Sequence, residues 1–238
     1  MGQKVNPVAF RVGVMENWKS RWYAPKKEFS ALLVEDKKIR DFIKKQKTKD
    51  GEPVYPAIAK IEIERTRDEV RVILTSARPG LLIGRKGEKI EELQNELQLL
   101  TGRKINLKIE EEKNPELVAQ LVAEDLGEQL VKRAAFRRVM KHAMGKAMEK
   151  GAKGVKIQLS GRLGGAEMAR CEKQQVGSIP LSTLRAKIDY GFAEAKIAQG
   201  HIGIQVWINQ GEYSEDDNNG QNAETSQASK NTKRAYKR

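Results

Sequence analysis

The 238 residues carry 45 lysines and arginines against 32 acids, a formal charge of +13, with only 5% aromatic. That length is on the order of one or two domains, and the charge excess points to a polyanionic partner. A single cysteine, Cys171, excludes an internal disulfide, and with only His142 and His201 there is no Cys/His cluster at zinc-ligand spacing. No apolar run approaches the roughly 20 residues of a spanning helix and no secretory segment follows Met1. Gly2 is followed by Asn6 where a myristoylation signal needs Ser or Thr, so a membrane surface is the weaker partner and a cytoplasmic protein the simplest reading.

From Met1 to Arg21 the chain has neither helical nor strand period, with Lys4, Arg11, Lys19 and Arg21 against Glu16. An irregular basic arm over residues 1–29 is expected, ordered where it lies on another molecule and frayed where it does not. A helix is expected from Ser30 to about Gln46, with Leu32, Leu33, Ile39, Phe42 and Ile43 as apolar positions. Lys44, Lys45, Lys47 and Lys49 follow, either a solvated face, the commoner case, or a specific contact. Asp50, Gly51, Pro53 and Pro56 make residues 47–56 a loop.

Two alternating segments come next, Ile58 to Glu64 and Val70 to Leu74, and both read as strands. Leu81, Leu82, Ile83, Gly84, Arg85, Lys86, Gly87, Glu88, Lys89 and Ile90 then read as a helical turn, a tight basic loop and the start of a second helix. That helix runs to about Leu100 with Ile90, Leu93, Leu97 and Leu100 on one face; Gly102 stops it, and Ile105, Leu107 and Ile109 form a third strand. Gly84 and Gly87 permit a sharp turn and close approach, and free N–H groups at the helix start face a basic pair, which suits a phosphate backbone. Two glycines around basic residues also occur in ordinary surface turns, and here the flanking elements favour function. Ile83, Gly84, Gly87 and Ile90 fit the Ile-Gly-x-x-Gly pattern, and Lys38 to Glu112 resembles the type II K-homology (KH) domain. The resemblance implies a three-stranded sheet with helices over residues 30–112, and a loop that clamps single-stranded nucleic acid through Gly84, Arg85, Lys86 and Gly87.

Asn114, expected as an N-cap, and Pro115 mark a boundary. Two helices are expected, Glu116 to Val131 and Ala134 to Lys150, with Phe136, Val139, Met140, Ala143 and Ala147 as the second helix's core face. Arg137, Arg138 and Lys141 fall within about 100° of one another on its other side. From Leu130 to Lys150 there are seven bases (132, 133, 137, 138, 141, 146, 150) and one acid, Glu149, a net of +6. Soluble surfaces usually intersperse both signs, so this density reads as a polyphosphate footprint. Strands are expected at Val155 to Leu159, Glu167 to Gln175, Thr183 to Tyr190 and Ile202 to Ile208, giving a second α+β domain over residues 113–211 with two helices on a four-stranded sheet. Cys171 reads as a small strand residue, and Gly164 and Gly165 as either hairpin residues or a phosphate contact flanked by Arg162 and Arg170. Residues 212–238 are too polar to bury a core and are expected to be disordered or bound as an extension.

Further motifs carry a family resemblance: Met1 to Pro7 with Phe10 to Gly13, the stretch Ser160 to Arg170, and Pro180 to Tyr190 through Thr183, Leu184, Arg185, Ile188 and Asp189. Up to about Gly211 the chain resembles the bacterial small-ribosomal-subunit protein S-three family. The resemblance implies a place in the head of the small subunit, binding of its ribosomal RNA, and neighbours that include proteins S-ten and S-fourteen. It further implies a share in the messenger RNA entrance channel with S-four and S-five, carried onto Arg137, Arg138 and Lys141. Lys4, Arg11, Lys132, Arg133, Arg162 and Arg170 are candidate further contacts to ribosomal RNA. A free-standing KH regulator is the alternative, against which the amino-terminal arm argues. An enzyme is the other: the chain lacks a convergent acidic cluster, and Gly84-Arg85-Lys86-Gly87 lacks the pattern of a nucleotide phosphate loop. No catalytic residue, metal or cofactor is assigned.

Overall fold

The structure, a computed structural model, describes residues 4–44, 57–66, 69–84 and 87–213. The chain divides into two units, one from Trp18 to Val122 and one that joins the residues up to Asn17 with those from Ala123 onward.

In the first unit the order is β1 (Ser20–Arg21), α2 (Lys26–Lys44), β2 (Ile58–Arg65), β3 (Glu69–Ser76), α3 (Pro79–Ile83), α4 (Glu88–Thr101) and β4 (Lys104–Glu111), α1 being the short helix Pro7–Arg11 of the other unit. The sheet order is β1-β2-β3-β4, with β1 parallel to β2, β2 antiparallel to β3 and β3 parallel to β4. The alternation read from the sequence is realised: Ile61 and Ile63, then Val70, Val72 and Leu74, then Ile105 turn to one core, where Leu82, Leu93, Leu97, Ile39 and Ile43 cover them. Four expectations are corrected. The sheet has four strands, because Ser20 and Arg21 pair with Ile63 and Glu64. The helix expected from Ser30 starts at Lys26, so residues 20–21 and 26–29 of the expected irregular arm are strand and helix. Leu33 and Leu100 stand about half exposed. Asn114 makes no capping hydrogen bond to the 3₁₀ turn Pro115–Leu117. Residues 47–56 lie outside the described residues.

The second unit contains α5 (Ala119–Val131), which straddles the division, then α6 (Phe136–Glu149), β5 (Gly154–Gly161), β6 (Arg170–Gly177), β7 (Ala186–Ile197) and β8 (Gly200–Glu212). Its sheet is antiparallel in the order β6-β5-β8-β7, four strands as expected. Val155, Ile157 and Leu159 of β5 stand opposite Ile208, Val206 and Ile204 of β8, and all six are buried. Helix α6 lies on this sheet through Val139, Met140, Met144 and Ala147. Met144 replaces Phe136 and Ala143, both only partly buried, in the expected core face. Residues 4–17 are not a free arm. Asn6 caps α1 by accepting from the Val8 amide at 2.9 Å, Pro7 opens it, and Arg11 closes it fully buried against the β6–β7 connection. No helix among the described residues is long and apolar enough to cross a membrane, and none of their His, Cys, Asp and Glu side chains group in threes that would hold a metal ion. Residues 214–238 lie outside the described residues.

Candidate nucleic-acid interface

In the first unit, α3 ends at Gly84 with φ 71°, and α4 begins after Gly87 with φ 87°. Both values fall in the left-handed region that an L side chain adopts only at a cost, so the turn between the helices needs glycine at both ends. A Cβ at Gly84 would also approach Lys89 Cγ to 2.7 Å. Leu81 and Ile83 stand exposed on the turn before the loop, an apolar shelf beside the two glycines. Arg85 and Lys86, the expected phosphate contacts, lie outside the described residues.

The second site is α6. Its apolar stripe is anchored in the sheet, and this forces the opposite face outward: Arg137, Arg138 and Lys141 are all exposed. Among the described residues neither Arg138 nor Lys141 has a carboxylate within ion-pair distance. Arg137 does: its Nη2 lies 3.4 Å from Glu172 Oε1 on β6. Arg170, two residues earlier on the same face of β6, places its Nε 3.8 Å from that same oxygen. Both guanidiniums sit over the Phe136 ring, at 5.5 and 5.7 Å from its centroid. Gly164, in left-handed geometry in the β5–β6 connection, lies beside that ring's edge. Phe136 is therefore a platform for two arginines instead of the core residue its spacing suggests. Sequence reading missed Glu172 and this role of Phe136; the signal for Glu172 is its i+2 relation to Arg170 in a strand beside a basic helix.

The remaining candidates divide. Lys132 and Arg133 are exposed in the link between α5 and α6, and Lys4 is exposed at the amino end. Arg133 has φ 61° and its amide donates to the Leu130 carbonyl at 3.0 Å, so it ends α5 in the position glycine usually takes. Arg162 is tied back internally, donating to the carbonyls of Ala166 at 2.9 Å and Gln199 at 3.1 Å. Arg11 is a correction. It is fully buried and donates from Nε to Ala186 O at 2.6 Å, from Nη1 to Pro7 O at 2.8 Å and from Nη2 to Thr183 O at 2.8 Å. A guanidinium so engaged fastens the fold and presents nothing to RNA.

Residues 38–117 match the family model of the KH domain, and residues 126–208 match that of the ribosomal protein S3 C-terminal domain. The whole chain is 66% identical to the whole of the small ribosomal subunit protein uS3 of Rhodopirellula baltica. Over 89% of its length it is 53% identical to the uS3 protein of Desulforudis audaxviator and 52% identical to that of Geobacter sulfurreducens, covering 94% and 97% of those proteins. A KH unit with paired left-handed glycines, a second sheet bearing a basic helix, and identity of this level from end to end have one reading: the chain belongs to the small ribosomal subunit protein uS3 family.

Proposed function

We propose that this protein is a component of the small ribosomal subunit that binds ribosomal RNA, and that the exposed face of α6 grips incoming messenger RNA where it enters. The observation that carries the second part is the concentration of +6 formal charge between Leu130 and Lys150, with Arg137, Arg138 and Lys141 all exposed on a helix whose other face is locked in a core. Contacts of this kind go to phosphate and are indifferent to base sequence, which suits a passage that must admit any message. By holding separated strands, the same contacts disfavour re-pairing of a message hairpin. The place in the subunit head beside S-ten and S-fourteen, and at the messenger entrance beside S-four and S-five, is supported by family membership. So is a cytoplasmic, ribosome-bound location.

For the KH unit the reading is a clamp on ribosomal RNA in which Gly84 and Gly87 bring the backbone close, Arg85 and Lys86 meet phosphate, and the exposed Leu81 and Ile83 offer apolar surface to bases. Small subunits reconstituted with Arg137→Ala/Arg138→Ala/Lys141→Ala protein test the messenger face. Assembly is expected to be intact and translation through structured messages slowed; unchanged rates on such templates overturn the reading. Arg85→Asp/Lys86→Asp tests the clamp. If ribosomal RNA binding and assembly survive that change at moderate salt, the loop is scaffold only.

A further inference from the structure

We propose that Glu172 is a built-in competitor for RNA phosphate, seated where the Arg137 and Arg170 guanidiniums converge, and that it sets how loosely α6 grips its strand. The inference rests on the reading of α6 as a messenger-binding face. A single carboxylate oxygen, Oε1, faces Arg137 Nη2 at 3.4 Å and Arg170 Nε at 3.8 Å. Phe136 orients both guanidiniums from below. An anionic oxygen held between two guanidiniums is the arrangement a non-bridging phosphate oxygen takes on an arginine pair. The occupant here belongs to the protein.

The strength of the pairing matters as much as its place. Both contacts are longer than ideal, and the side chains of Arg137, Arg170 and Glu172 are 67%, 49% and 31% exposed. Such pairs are worth little in water, so a phosphate entering the site displaces the carboxylate at modest cost. When the phosphate leaves, Glu172 closes behind it. Arg138 and Lys141, with no such carboxylate among the described residues, hold the strand continuously, while the Arg137–Arg170 pair exchanges one anion for another. A face made only of free cations would bind more tightly and release more slowly. Glu172 trades affinity for passage.

The test uses the full chain and a short, unstructured, fluorescein-labelled oligouridylate, with affinities measured across a salt series and repeated on reconstituted small subunits. Glu172→Gln keeps the shape and removes the charge. It is expected to tighten binding about two- to fivefold, from the worth of exposed ion pairs. The log–log salt slope steepens by about 0.7 for each arginine released to a phosphate. Glu149→Gln, the same charge change at the far end of α6, controls for the general field of the protein and is expected to do less. In an Arg137→Ala/Arg170→Ala background the effect of Glu172→Gln should vanish. An effect no larger than that of Glu149→Gln, one that survives in that background, or weaker binding, which would make Glu172 an orienting residue, each overturns the proposal. The Arg137→Ala/Arg138→Ala/Lys141→Ala protein separates the two failures: if it binds RNA as the parent does, the messenger face itself is refuted, and if it binds less while Glu172→Gln is silent, only the role of Glu172 falls.

Discussion

The Tyr213 hydroxyl donates to Glu16 Oε1 at 2.9 Å, closing a contact between residues 197 apart in sequence and tying the amino-terminal segment to the end of β8. Burial pushes the Tyr213 phenol well above its ordinary value of 10.0, and the Glu16 carboxylate and its hydrogen bond push the same way. Below pH 10 the phenol is protonated in both folded and unfolded chains, and its contribution is constant. Above that pH the unfolded chain sheds the proton while the folded one keeps it, so stability falls as pH rises. The slope is at most about 1.4 kcal/mol per pH unit, and less for a ring that is part solvent-facing. Tyr213→Phe is expected to be less stable than the parent by about 1 kcal/mol near neutrality, from the lost hydrogen bond. The gap should close as pH passes about 10. Burial raises Tyr190 too, which adds the same sign to both proteins, so urea midpoints of variant and parent compared pH by pH isolate Tyr213.

Arg11 is the second tie between the amino-terminal segment and this unit. Burial lowers its guanidinium pKa, and Tyr213 and Glu16 raise it again. Arg11→Ala takes a charged donor from the carbonyls of Ala186, Thr183 and Pro7 at once, and a loss of about 3 kcal/mol in urea unfolding is expected. Arg11→Lys should recover little of it, because an ammonium has no fork with which to reach several carbonyls together. RNA affinity measured well below the unfolding transition should not change in either variant. A loss there would restore Arg11 to the interface.

What could be read from the sequence follows from how local the signal is. Gly84 and Gly87 were legible because a positive φ leaves few choices of residue. The strands were legible because Ile61 to Ile63 and Val70 to Leu74 alternate, and the α6 face because seven bases crowd residues 130–150, four of them on the helix itself. Strand β1 is only Ser20–Arg21, too short to show a period. Arg11 read as a surface charge because all but one of the carbonyls it serves are about 170 residues away, and Phe136 read as core because its spacing fits the stripe, although it opens α6 and is only partly buried. Asp36 looks like any helical acid, although it falls four residues after Leu32 and three before Ile39, inside the apolar stripe of α2. That position was the available clue to its burial.

Asp36 is completely buried and accepts from Arg65 Nε at 2.7 Å, Trp22 Nε1 at 2.9 Å and Ser20 Oγ at 3.0 Å. One carboxylate thus pins β1 and the following turn to α2 and β2. Asp36→Ala leaves Arg65, whose side chain is 3% exposed, with only Glu35 as counter-charge among the described residues, and a loss of about 3–5 kcal/mol is expected. Asp36→Asn retains an acceptor for the indole and should cost less. Trp22 fluorescence is the specific readout: in Asp36→Ala it should shift to the red before global unfolding, as the indole loses its partner.

Gly177 and Gly145 separate two reasons for glycine in one unit and one experiment. Gly177 ends β6 with φ +74°, and a Cβ there would lie 2.3 Å from the Lys153 carbonyl oxygen and 2.8 Å from Gly154 Cα. Both obstacles are backbone atoms, and no side chain can swing aside to make room. Left-handed geometry costs an L residue about 1–2 kcal/mol before any clash, so Gly177→Ala should lose at least about 2 kcal/mol. Gly145 sits in the middle of α6, exposed, with nothing within 4 Å of a built Cβ and no positive φ. There glycine only weakens the helix, and Gly145→Ala should gain about 0.8–1 kcal/mol. Urea unfolding of the two variants reads the sign directly. A loss on Gly145→Ala would mean that the groove between α6 and β6, which Gly145 lines with Met144, Met148 and Gln174, has no room for a methyl group, and that α6 lies closer to the edge strand than the structure places it.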